Sequence, residues 1–270
     1  MVAARVRRIK TKLIFSKGRC VTDLQQAVEI LRAAQHVVAL TGAGISVDSG
    51  IPDFRSSGGL WDRFDPMEYA HIEAFRANPT KVWEMLREMT GIVKDSRPNP
   101  GHLALAELEK IGKLRAVVTQ NIDNLHQEAG SHRVIEFHGN SRHLICLFCH
   151  REFTAEEVEQ ELATGGVFPP RCPDDGHILK PKIVFFGEAI PMDAAAEAHA
   201  EAEDCDVMLV IGTSATVFPA SGLPITARRT GSRIIEINRM TTPLTEQVAH
   251  HSLRGSSSEI LPSLVAALQS

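Results

Sequence analysis

The sequence predicts an α/β protein, a parallel sheet with helices on both faces that carries a small inserted module. Three observations predict it. Short apolar runs alternate along the chain with segments of helical periodicity, the pattern of strands buried on both faces. Glycine-rich or polar residues follow directly on several of those runs, where open α/β sheets bind ligands. Residues 141–181 differ in character, gathering cysteines, prolines and glycines.

The elements follow in order. Residues 21–34 place Leu24, Ala27, Val28 and Leu31 on one helical face, with Thr22 or Asp23 as the cap. Residues 37–40 form a short apolar strand that runs into a glycine-rich turn and then a helix. A helix is expected over 103–111 and a buried strand over 115–119. Within the inserted module a short helix is expected near 155–162. Val207–Ile211 is the clearest strand, 233–237 is another that ends at Asn238, and 259–268 reads as a closing amphipathic helix.

The length of 270 residues allows one large domain, or one domain with an insert. Hydrophobic residues at 43% and charged residues at 23% suit a soluble globular enzyme. The net charge of −4 argues against non-specific nucleic-acid binding. No apolar run is long enough to span a bilayer, and the basic residues of 1–20 are followed by no signal-peptide core. A cytoplasmic protein with a basic N-terminal extension is expected. Five cysteines is an odd count, and in the cytosol they are not disulfides. Cys146-x-x-Cys149 with Cys172 downstream reads as a metal site instead.

Four motifs carry chemistry. Gly42-Ala43-Gly44-Ile45-Ser46 follows the first strand, and its glycines would let the backbone approach a diphosphate. Val47 stands where a dinucleotide fingerprint has its third glycine, so a plain tight turn needs the same residues. Asp53-Phe54-Arg55 lies on a proline-punctuated loop able to cover a cofactor, with Phe54 shielding a reactive carbon. Gln120-Asn121-Ile122-Asp123 ends a strand, where Asn and Asp orient a sugar hydroxyl, a water or a carboxamide; Asp123 also suits a helix cap. His138-Gly139 offers a general base, although the chain has 12 histidines and most such residues are structural.

These motifs, with Phe185-Phe186-Gly187-Glu188, Gly212-Thr213-Ser214 and Ile237-Asn238, occur in the order found in sirtuins. The chain resembles that family, of bacterial or archaeal type, over about 21–268. The resemblance implies a Rossmann-like NAD-binding domain over 21–140 and 182–270, with a small zinc-ribbon module over 141–181. It implies NAD-dependent removal of acetyl or related acyl groups from protein lysines, with NAD cleaved to nicotinamide and the acyl group passed to ADP-ribose. Gly42, Ala43, Gly44 and Ser46 would line the phosphates. Asp53, Phe54 and Arg55 would cover the nicotinamide ribose, and Gln120, Asn121, Ile122 and Asp123 would line the pocket beside it. Gly212, Thr213, Ser214, Asn238, Gly255 and Ser256 would hold the adenosine half. His138, Asn121, Asp123 and Phe54 would carry the chemistry, with His138 as base on a ribose hydroxyl. An acyl-lysine peptide would pair as a strand with Val184, Phe186, Gly187 and Glu188, facing Val217 and Phe218. ADP-ribosyl transfer to protein is the alternative activity of the same site. The partners implied are acyl-lysine proteins, with no nucleic acid and no membrane.

The chain departs from the family in two places. Four zinc cysteines are expected, yet Asp175 stands where the fourth would be, so Asp175 or His177 would complete a structural zinc site with Cys146, Cys149 and Cys172. The branch that removes succinyl and malonyl groups carries a Tyr and an Arg after a Trp-Glu pair. Here Leu86 and Met89 occupy those positions after Trp83-Glu84, which predicts acetyl or longer aliphatic acyl groups.

Overall fold

The computed structural model describes residues 22–56 and 58–270. The basic segment 1–20 expected from the sequence lies outside the described residues.

The chain opens with helix α1 (Asp23–Ala33) and strand β1 (Val37–Thr41). Helices α2 (Pro66–Tyr69), α3 (Ile72–Ala77), α4 (Pro79–Asp95) and α5 (Pro100–Lys110) follow, then β2 (Leu114–Thr119), α6 (Leu125–Glu128) and β3 (Val134–Glu136). Next come β4 (Gly139–Cys146), β5 (Glu152–Thr154), α7 (Ala155–Ala163) and β6 (Leu179–Ile183). The chain closes with α8 (Met192–Asp204), β7 (Val207–Ile211), α9 (Leu223–Thr230), β8 (Arg233–Asn238), α10 (Pro243–Gln247), β9 (His251–Arg254) and α11 (Ser257–Gln269).

Six strands form one sheet in the order β3-β2-β1-β7-β8-β9, and every pair is parallel. Side chains alternate between its faces, as strand geometry requires. Val37 and Ala39 point to a core shared with Ala27, Leu31, Leu105, Leu108, Leu261 and Leu264 of α1, α5 and α11. Val38 and Leu40 point to the opposite core with Ala198, Ala202, Leu223, Ala227 and Leu244 of α8, α9 and α10. The caps explain where helices begin. Thr22 and Gln25 form a reciprocal capping box on α1, and Asn99 with Pro100 starts α5 ahead of the expected 103.

The second sheet is small and antiparallel, in the order β5-β4-β6. It shares a third core with α3 and α4, in which Phe75, Val82 and Trp83 pack with Leu144, Leu179 and Phe185. The Trp83 indole donates to the Leu179 carbonyl at 2.8 Å. A buried acceptor left without that donor would cost ~1–3 kcal/mol, so the bond fixes α4 against β6. Helices α3 and α4, which the sequence groups with the large domain, therefore pack on the inserted module.

One expectation is corrected here. The glycine turn after β1 does not enter an α-helix. It makes two short 3-10 turns, Ala43–Ile45 and Val47–Ser49, and stops at Gly50 with φ +89°. Gly50 and Pro52 leave no room for regular helix to propagate.

Candidate functional site

Strand order reverses direction at β1, with β2 on one side and β7 on the other. Ligands of open α/β sheets bind at such a switch point. Gly42 donates to the Ile211 carbonyl at 3.0 Å, and Gly44 to the Gly212 carbonyl at 2.7 Å. A Cβ on Gly44 would lie 2.7 Å from Gly212 O and 2.8 Å from its Cα, so the two loops meet backbone to backbone. Gly212 itself has φ +59°, where only glycine sits without strain.

A cavity of about 900 Å³ opens above these turns, between the large sheet and the third core. Gly42, Ala43, Gly44 and Ser46 line it, as do Asp53, Phe54 and Arg55. So do Gln120, Asn121, Ile122, Asp123 and His138, and Gly212, Thr213, Ser214 and Asn238. Val184, Phe186, Gly187, Glu188 and Val217 stand on the same cavity. The motifs that lie far apart in sequence thus share one space. Ser256 is the exception: its hydroxyl turns to Asp48 Oδ2 at 2.5 Å and caps α11, while Gly255 and Ser257 line the cavity beside it. Residues 239–243, from Arg239 to Pro243, also line it, and no sequence signal marked them.

Under the cavity floor lies a buried polar network. Asn121 Nδ2 donates to Gly42 O at 3.3 Å and to Ser46 Oγ at 3.1 Å. Ser46 Oγ in turn donates to Asp123 Oδ2 at 2.7 Å. Asp123 Oδ1 accepts the Leu125 N–H at 3.0 Å, so this carboxylate both caps α6 and supports the floor. Gln120 Nε2 reaches Thr41 O and Thr213 Oγ1, each at 3.2 Å. Below them, His102 Nε2 lies 3.4 Å from Ser46 Oγ and His126 Nε2 lies 2.9 Å from Thr41 Oγ1. Burial pushes His102 down to about 4, against the pull of Asp123, and pushes His126 down to about 3. Both are neutral near pH 7, and His126 Nδ1 is buried without a hydrogen-bond partner.

His138 is placed differently. Its Nδ1 is 3.0 Å from the Gln120 carbonyl oxygen, and the residue lines the cavity. Burial lowers its pKa, opposed by that carbonyl. A ring held through one nitrogen, neutral near pH 7 and facing a cavity, fits a general base. Phe54 and Trp61 also line the cavity and hold each other. Trp61 N donates to Phe54 O at 3.0 Å, and the two rings lie 4.9 Å apart. Phe54 remains 38% exposed, an apolar face turned out of the core.

The metal donors also converge. Cys146, Cys149, Cys172 and Asp175 place one ligand atom each within 4.8 Å of one another. Cys149 Sγ and Cys172 Sγ are 3.6 Å apart, and Cys146 Sγ is 3.3 Å from Asp175 Oδ2. A tetrahedral zinc with Zn–S bonds of ~2.3 Å needs sulfur–sulfur edges of about 3.8 Å, so the donor set fits zinc. His177 lies outside the set. Its ring stacks on Phe148 at 4.5 Å, and its Nδ1 and N–H both turn to Asp175 Oδ1, at 3.2 and 3.0 Å. Of the two expected fourth ligands, Asp175 holds the position and His177 supports it from behind. The cluster stands apart from the residues lining the main cavity.

Residues 42–219 match the family model described as the Sir2 family. A curated relative, NAD-dependent protein deacylase 2 of Archaeoglobus fulgidus, is 42% identical over 247 residues, covering 90% of this chain and 95% of its own. Among solved structures, a Sir2 homolog–NAD complex superposes with a TM-score of 0.82 at 41% identity, covering 91% of this chain and 93% of that one. A Sir2–p53 peptide–NAD+ complex superposes with a TM-score of 0.81 at 35% identity, covering 90% and 97%.

Proposed function

The chain belongs to the Sir2 family, and on that premise we propose that its cavity is the active site of an NAD-dependent protein-lysine deacylase, with acetyl-lysine peptides as substrates. One observation carries the reading: His138, Asn121, Asp123 and Phe54 surround a single cavity at the switch point of the sheet.

NAD suits that cavity because the turns at 42–44 and 212, packed backbone to backbone, line it at the switch point of the sheet, where glycine-rich turns receive a diphosphate. When bound, it would supply the ribose carbon that the acyl oxygen captures as nicotinamide leaves, and the ribose hydroxyl onto which the acyl group passes. The chain does the rest. Gly42, Ala43, Gly44 and Ser46 bind the phosphate side, and Gly212, Thr213, Ser214 and Asn238 the adenosine side. Asp53 accepts the N–H groups of Arg55 and Ser56, at 3.0 and 2.7 Å, and so shapes the loop that presents Phe54. Phe54 excludes water from the reacting carbon. Asn121 and Asp123, locked through Ser46, orient the nicotinamide ribose and carboxamide. His138 takes a proton from a ribose hydroxyl through the nitrogen not committed to Gln120. Val184, Phe186, Gly187 and Glu188 on one side, and Val217 on the other, receive the peptide as an extended strand.

The acyl end of the cavity is mostly apolar, with Thr90 and the acidic Glu159 as its polar lining. Leu86 and Met89 of α4 line it with Val93, and with Val158 and Leu162 of α7. An acidic acyl group would lose its hydration there without gaining a counter-ion. Acetyl and aliphatic acyl groups suit it; succinyl and malonyl do not. Zinc suits Cys146, Cys149, Cys172 and Asp175 in a structural role. No helix among the described residues is long and apolar enough to cross a membrane.

The test is nicotinamide release from NAD with and without an acetyl-lysine peptide, with the acyl product identified. Peptide-dependent release that yields acetyl-ADP-ribose supports deacylation. Release without the peptide, or ADP-ribose attached to protein, overturns it.

A further inference from the structure

Lys180 of β6 is 3% exposed, the only lysine buried in the described core. Its Nζ lies 2.8 Å from Glu188 Oε2 and donates to Ile183 O at 2.7 Å and Pro181 O at 3.2 Å. The ammonium also stands 4.4 Å from the centroid of the Phe185 ring. Every one of these partners belongs to 181–188, the stretch that runs from β6 onto the cavity wall. Burial lowers the Lys180 pKa, and Glu188 opposes that shift.

Glu188 closes the loop. Its Oε2 accepts the Phe185 N–H at 2.8 Å, and its own N–H donates to Phe185 O at 3.0 Å. Phe185 is thereby held inward, buried against Phe75 with ring centroids 5.8 Å apart. Successive side chains of extended backbone point to opposite sides. Phe186 must then face outward, and it does, 38% exposed and 6.4 Å from Trp61. The Phe186 backbone is tied in turn to Ala70 O at 2.8 Å and Ile72 N at 3.0 Å. Two phenylalanines in succession leave the register weakly specified by hydrophobicity, since a slip of one residue would simply exchange them. A buried ion pair seldom adds net stability over apolar residues of similar volume, but it can select one arrangement among several.

We propose that Lys180 is a positioning residue for the acyl-peptide: its contacts with Glu188, Ile183 and Phe185 set which phenylalanine faces the cleft, and so shape the edge at 184–188 that pairs with substrate. The inference rests on the deacylase reading. It concerns the peptide side of the site and leaves the NAD side untouched.

The experiment is steady-state deacetylation by the full chain, varying acetyl-lysine peptide and NAD separately, for wild type, Lys180→Met and Lys180→Arg. Lys180→Met is expected to raise the peptide KM about tenfold and hold the NAD KM within about twofold, with Lys180→Arg recovering most of the loss. A Lys180→Met enzyme with the wild-type peptide KM overturns the proposal. So does a parallel rise in both KM values with a fall in melting temperature, which marks a purely structural role. Should Lys180→Met fail to fold, Lys180→Gln carries the same test: the peptide KM rises alone, or the proposal fails. A wild-type enzyme that releases no nicotinamide with the peptide defeats the deacylase reading instead, a result distinct from all of these.

Discussion

His138 Nδ1 lies 3.0 Å from the carbonyl oxygen of Gln120, the residue that follows strand β2. The bond spends one ring nitrogen on orientation, and the proposed base would act through Nε2. Because burial lowers the His138 pKa, the neutral, base-competent ring persists below the ordinary histidine value of 6.5. The acid limb of kcat/KM should therefore fall at a pH below 6.5, with a plateau above it. His138→Ala should lower kcat by ~10²–10⁴-fold and abolish that limb. An unchanged profile in the variant would remove His138 from the base role.

Acid should weaken the fold through His102 and His126. Each is neutral when folded, with pKa values of about 4 and about 3 against 6.5 in the unfolded chain. Their contribution to stability is whole above pH 6.5. It is lost as pH falls through the interval from 6.5 to about 4 for His102 and about 3 for His126, because only the unfolded chain takes up protons there. Each histidine adds a slope of at most ~1.4 kcal/mol per pH unit. Urea unfolding at pH 7 and pH 5 should show it, and His126→Gln should flatten the difference. An equal pH 5 loss in that variant would contradict the assignment.

The carboxylate in the metal cluster gives a prediction on retention. Asp175→Cys should hold zinc against a chelator longer than wild type, because a fourth thiolate replaces a harder oxygen. Asp175→Ala should shorten retention. Zinc release followed with a colorimetric chelator reads both, and identical release from all three proteins would exclude Asp175 from the ligand set.

Acyl preference should follow the two α4 residues at the cavity wall. Wild type should process acetyl and butyryl peptides far better than succinyl. Leu86→Tyr combined with Met89→Arg should gain succinyl turnover by supplying a counter-ion in the apolar end. Parallel assays on the three peptides decide it, and a wild type that prefers succinyl would reverse the reading.

Gly44→Ala tests the backbone approach at the switch point. Its Cβ would sit 2.7 Å from Gly212 O. The clash should cost ~1–3 kcal/mol of stability and weaken NAD binding in titration calorimetry. Wild-type affinity in a stable variant would show that the two turns can separate.

Strands β1, β2, β7 and β8 of the large sheet were legible because they are short and apolar, whereas the edge strands β3 and β9, three and four residues long with partly exposed polar positions, carried no such signal. Val207–Ile211 is apolar throughout and buried throughout. Helix α8 carried no such signal: alanine and acidic residues alternate along it, and only Ala198, Glu201 and Ala202 are buried. Helices α2 and α3 were missed as well; they are short, and α3 turns its apolar face to the inserted module and not the sheet. Of the site, the motif residues were readable as a set. The Lys180–Glu188 pair was not, because a buried lysine looks in sequence like any solvated one. His102 and His126 were equally silent, for their role depends on a burial that only the fold creates.

The third core, in which α3 and α4 join the small sheet, leaves the molecule with two bodies of packing and one seam. On the deacylase reading, the seam is where substrate binds. Its two walls belong to different hydrophobic cores, so a change in its width would leave the packing of each core as it is. A dinucleotide on one wall and a peptide strand on the other would each bridge the gap, and each would prepare it for the next. Binding on either wall would then favour binding on the other, a coupling that follows from where α3 and α4 pack.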